Sequence, residues 1–74
     1  MILKQIGSNM TEVTRGDVTV LFSYQTPVAF RRHDGQAFRT SKKFSVTTSK
    51  HINKWLDGQS AEIVSQDAIE AHLA

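Results

Sequence analysis

Between Ser45 and Trp55 the chain reads SVTTSKHINKW. The adjacent hydroxyls Thr47, Thr48 and Ser49 stand before Lys50 and His51. Such a set offers oxygen ligands, a cation and an imidazole able to take or give a proton. Its simplest chemistry is anion binding at a helix start. There, free N–H groups and the positive dipole end favour a phosphate or carboxylate. No glycine-rich loop precedes the run, so it is no Walker-type phosphate loop. Thr48 is the expected N-cap, with the helix running through Trp55 and Leu56. The hydroxyl cluster is then first of all a helix beginning.

Other reactive constellations are missing from the pattern. His33, His51 and His72 are the three histidines, and cysteine is absent. A structural zinc site takes four ligands, and neither H-E-x-x-H nor paired cysteines occur. There is no G-x-S-x-G elbow. The carboxylates Glu12 and Asp17 lie far along the chain from Glu62, Asp67 and Glu70. These patterns predict a protein that is not an enzyme and needs no cofactor.

Charge is distributed unevenly. Arg31, Arg32, Arg39, Lys42, Lys43, Lys50 and Lys54 crowd the middle of the chain, where Asp34 is the sole acid. A basic middle can present a surface to phosphates.

These residues need a scaffold to position them, and most of it reads as strands. In VTVLFSY, Val18, Val20, Phe22 and Tyr24 alternate with Thr19, Leu21 and Ser23, a period of two. Gly16 and Asp17 form a two-residue hairpin turn, setting Val13 opposite Val20. The Arg15-Gly16-Asp17 triplet is then a hairpin tip rather than an adhesion signal. Gln25-Thr26-Pro27 is a three-residue connection aligning Tyr24 with Val28. His33-Asp34-Gly35 is a second, with Gly35 left-handed and Phe30 opposite Phe38.

One apolar face results: Leu3, Val13, Val20, Phe22, Tyr24, Val28, Phe30, Phe38, Phe44 and Val46. The opposite face carries Thr19, Leu21, Ser23, Ala29, Arg31, Ala37, Arg39 and Lys43, and is expected to be open and basic. Ile52, Trp55 and Leu56 form a helical stripe expected to cover the apolar face. Gly58 suits the position after the helix, AEIV is a short strand, and Ser65 caps a C-terminal helix with Val64 and Ile69 as a hydrophobic staple. The predicted fold is α+β, a single domain over residues 1–74. It has an antiparallel meander of five to six strands, one helix packed on one face and a short C-terminal helix.

Two motifs carry a resemblance. Ser23-Tyr24-x-Thr26-Pro27-Val28-Ala29 and Thr47-Thr48-x-Lys50-His51-Ile52 resemble elements shared by a family of small uncharacterised bacteriophage proteins. The likeness runs over most of residues 8 to 56. It implies a phage origin and brings no activity or ligand with it. The two motifs are expected to meet at one sheet end, gathering Tyr24, Thr26, Thr48 and His51. That gathering is either a small polar site or a hydrogen-bonded corner fixing helix to sheet.

Two functions follow as expectations. One is a non-enzymatic protein-interaction module acting on a host or phage protein. The other is nucleic-acid association through Arg31, Arg39, Lys42, Lys43 and Lys50. No apolar run approaches the ~20 residues of a membrane helix, so the chain is expected in the host cytoplasm without membrane contact. The sequon at Asn9 is read as chance without a secretion signal. A core this small, with no disulfide, is marginal. Ile2, Ile6 and Met10 share the parity of the polar face. Exposed together at an edge, they predict a homodimer.

Overall fold

The computed structural model describes residues 2–73. Six strands form one sheet in chain order: β1 (Ile2–Gly7), β2 (Met10–Arg15), β3 (Val18–Ser23), β4 (Thr26–Arg32), β5 (Ala37–Thr40) and β6 (Ala61–Val64). The first five pair antiparallel, but β6 pairs parallel to β5. A parallel pair needs a crossover, and α1 (Val46–Leu56) supplies it. A short α2 (Gln66–Glu70) and a 3-10 turn (Ala71–Leu73) complete the chain.

Local turn chemistry sets several registers as expected. Arg15 pairs with Val18 across Gly16, whose φ is 62°, and Val13 faces Val20. Phe30 faces Phe38, and the three-residue loop between β4 and β5 carries Gly35 at φ 93°. The Arg32 N–H donates to the Gln36 carbonyl to close it.

The third connection differs. Ser23 pairs with Thr26, so the turn has two residues, Tyr24 and Gln25, with Tyr24 at φ 58°. The register then shifts: Leu21 faces Ala29 while Phe22 faces Pro27, leaving Val28 as the extra residue of a bulge. Pro27 explains the shift, because a residue without an N–H fits inside a sheet at a bulge. Val28 therefore joins the buried cluster of Leu21 and Ala29 rather than that of Val20 and Phe30.

The larger correction concerns the two faces. Ile52, Trp55 and Leu56 of α1 are buried with Met10, Leu21, Val28, Ala29 and Ala37. The helix stripe thus meets the side expected to be open, not the side of Val20, Phe30 and Phe38. The physical reason is size: Ala29 and Ala37 leave room for a helix to approach. The larger side chains Val20, Phe30 and Phe38 form a second buried cluster with Ile69 of α2, with Val64 and Leu73 packed against it. Phe30 stacks on Phe38 at 4.6 Å between ring centroids, and the His72 ring lies 4.1 Å from Phe30. Ser65 caps α2 by accepting the Ala68 N–H, and the expected staple of Val64 and Ile69 falls in that cluster.

Several expected placements fail with the face assignment. Met10, expected to be exposed, is buried, and Ile6 packs against the same cluster. Of the three residues that motivated the homodimer, only Ile2 stands in solvent. Leu3, Tyr24, Phe44 and Val46, expected on the covered apolar face, are all exposed.

Candidate functional site

The N-cap of helix α1 lies three residues before the expected one. Ser45 is the N-cap, and its Oγ accepts the Thr48 N–H at 3.2 Å. Thr48 sits in the first turn instead, with His51, Ile52 and Trp55 following at i+3, i+4 and i+7. That spacing puts all four on one helix face. The face turns Thr48 inward, where it is buried.

There it meets β3. Ser23 Oγ lies 3.0 Å from Thr48 Oγ1 and 2.7 Å from His51 Nδ1. Ser45 Oγ donates to Thr48 Oγ1 at 3.3 Å. The Tyr24 ring is tilted against the His51 ring at 5.8 Å between centroids, and the Tyr24 N–H donates to the Asn9 carbonyl. Three of the four expected residues, Tyr24, Thr48 and His51, are thus brought together. Thr26 makes no contact with Thr48 or His51; it lines a polar cleft with Gln5, Asn9, Thr11, Gln25 and Tyr24 itself.

Ser23 is the member that the spacing argument missed. Alternation along β3 sets it on the Leu21 face, and it was missed because the helix was expected on the other face. A serine hydroxyl on an imidazole resembles a nucleophile beside its base. Here Ser23 is 2% exposed, so its oxygen meets a substrate only if α1 lifts away. Both its neighbours are α1 side chains, and the contact joins helix to sheet. With Thr48 Oγ1 engaged by Ser23 and Ser45, the threonine is not free to hold an anion as the cluster of hydroxyls suggested.

The expected basic face is divided by α1. The Arg31 guanidinium lies 4.3 Å from the Trp55 ring centroid and donates to the Trp55 carbonyl and to Gln59 Oε1. A cation at a helix C-terminus complements its dipole, so Arg31 works as a clamp on α1. Trp55 Nε1 donates to Glu12 Oε2 at 2.7 Å, tying the same ring to β2. Arg39 reaches Asn53 Oδ1 from β5. Lys42 and Lys43 lie on the β5–α1 connection, and Lys50 is exposed on the helix.

Beside α1 lies a groove of about 810 Å³. Its apolar lining is Phe44, Val46, Ile52, Leu56, Ala61 and Ile63, and its basic members are Arg39, Lys42 and Lys43. No aspartate or glutamate lines it. Val46 is 73% exposed and Ile63 66%, large values for aliphatic side chains sharing one concavity. Lys42 Nζ sits 5.3 Å from the Phe44 ring centroid. Residue spacing did not reveal this groove, because Ile63 comes to α1 only through the parallel pairing of β6.

The family model described as a family of unknown function (DUF8033) matches residues 1–71. The chain belongs to this family. Membership therefore spans the Ser23–His51 corner and every strand and helix that builds the groove, and the family has no established function. No curated protein and no solved structure matches the chain. Among the described residues no helix is long and apolar enough to cross a membrane.

Proposed function

We propose that this protein is a non-enzymatic interaction module whose groove receives an acidic, aliphatic segment of a partner protein. One observation carries the proposal: Val46 and Ile63 stand in solvent within a concavity whose charged lining is wholly basic. Exposed aliphatic side chains gathered in one concavity mark interaction surfaces. Arg39, Lys42 and Lys43 select the sign of the partner, since like charge opposite them is repelled. A second copy meeting it groove to groove fits poorly for that reason, because it would bring more lysines. The phage resemblance extends the proposal to a phage or host protein as partner, met in the host cytoplasm.

A second reading is single-stranded nucleic acid. Phe44 is partly exposed beside Lys42, Lys43 and Arg39, and an aromatic among cations is a stacking platform. The aliphatic majority of the lining favours protein over bases.

The test is selection of a random peptide library on the immobilised protein, with a Val46→Asp, Ile63→Asp variant as counter-selection. Enrichment of acidic, aliphatic peptides that ignore the variant supports the proposal. Enrichment without a charge bias, or peptides that bind the variant equally, overturns it. Fluorescence anisotropy with single-stranded oligonucleotides runs in parallel. Salt-sensitive binding abolished by Phe44→Ala would replace the peptide by nucleic acid as the ligand.

A further inference from the structure

Resting on the groove proposed above, we infer that the partner segment binds as an added β-strand along the outer edge of β6. In sheet order β6 is the last strand, so one side of it pairs with β5 and the other is an edge. The Val64 carbonyl accepts the Ser41 N–H at 2.7 Å, on the β5 side. Backbone polar groups alternate sides along a strand, so Ala61 and Ile63 direct their N–H and C=O groups away from the sheet. The side chains of these same two residues line the groove. One strand laid there satisfies the free backbone and fills the groove with every second side chain. That is the recognition mode of β-strand addition, where backbone bonds give affinity and alternate pockets give selectivity.

The two edges of the sheet differ in how they are protected. Strand β1 carries Lys4 at its centre and a register shift between Gln5 and Gly7. Both devices discourage strand pairing. Strand β6, AEIV, has no lysine, proline or register shift. Its four residues make it a poor template for aggregation but leave two residues with outward backbone groups.

The partner's sequence pattern follows. Groove-side positions are aliphatic, to cover Val46 and Ile63. Positions on the other face pass Glu62, which lies opposite the groove by alternation, and are neutral. Acidic residues belong at the end that passes Val64, where Ser41, Lys42 and Lys43 leave β5.

The probe is a synthetic peptide of alternating valine and threonine with two aspartates at one end, prepared in both chain directions. Two further versions carry N-methyl groups on alternate amides, one on each parity. Binding is read from the amide resonances and hydrogen exchange of the protein. The expected result is that Ala61 and Ile63 amides shift and exchange more slowly. Methylation of one parity weakens binding roughly tenfold or more, since it removes the paired donors, while the other parity is tolerated. Ile63→Pro removes one outward donor without touching a β5 bond, and lowers affinity beyond Ile63→Ala. If both methylated peptides bind as well as the parent while Val46→Asp abolishes binding, strand addition is wrong and the groove reading survives. If no peptide perturbs these residues at millimolar concentration, both fall.

Discussion

Removing the Trp55 ring tests the packing on which the groove depends. Trp55 is buried, stacked by Arg31 and hydrogen-bonded to Glu12. Truncation of a buried large aromatic to alanine costs about 3–5 kcal/mol. A domain of this length has a total stability of about 4–11 kcal/mol, so Trp55→Ala takes away a large share of it. Trp55→Phe keeps most of the apolar contact and the cation stacking but leaves the Glu12 carboxylate without its donor. Hydrogen bonds to charged groups contribute about 1.5–3 kcal/mol. At about 4–8 °C per kcal/mol, Trp55→Phe should lower Tm by roughly 6–24 °C, and Trp55→Ala by more. Glu12→Gln in a double-mutant cycle with Trp55→Phe isolates the pair, with an expected coupling of about 0.5–3 kcal/mol. Thermal and urea unfolding followed by circular dichroism reads all four variants. A Tm change below about 3 °C for Trp55→Ala would refute the burial of this ring between α1 and the sheet.

Ser23→Ala should cost about 1–3 kcal/mol in urea unfolding, because it leaves Thr48 and His51 short of a partner. Ile69→Ala should cost about 2–5 kcal/mol, since it empties the only large α2 side chain in the Val20–Phe30–Phe38 cluster. Loss of the C-terminal segment by limited proteolysis in that variant would confirm how α2 is held. Gly35→Ala should destabilise by about 1 kcal/mol from its left-handed backbone alone, since no atom lies within 4 Å of the added carbon. Val46→Asp and Ile63→Asp should leave Tm within about 2 °C, because exposed positions contribute little to the core. A large drop would mean the two side chains are structural.

What could be read from the sequence was local. Gly16 and Gly35 announce their turns through φ alone, and those turns fix Val13 on Val20 and Phe30 on Phe38. The staple of Val64 and Ile69 around Ser65 is a six-residue pattern and emerges whole. The bulge at Val28 was hidden because one inserted residue restores a plausible alternation on both sides. Ser45 was hidden as a cap because Phe44 and Val46 alternate like a strand. The helix face depended on Ala29 and Ala37, whose smallness reads as polarity-neutral in a pattern and as space in three dimensions. Tyr24, Thr48 and His51 were found by motif proximity, but Ser23, which joins them, required the helix to be on the right face of the sheet.

The parallel pairing of β6 has a kinetic consequence. Strands β1 to β5 each pair with the next in the chain and close short loops. Ala37 and Ala61 meet only after the whole of α1 has crossed over, a longer closure with a larger entropy cost. The meander can therefore form before the groove exists. Because β6 also feeds α2, the Phe30–Phe38 side is sealed only after that same closure. During synthesis, a nascent chain ending before Ala61 already holds α1 for one side of its sheet but lacks Ile69 for the Phe30–Phe38 side. The groove is completed with that closure, and the seal over Phe30 and Phe38 follows it, so the two sides of the sheet are finished in a fixed order.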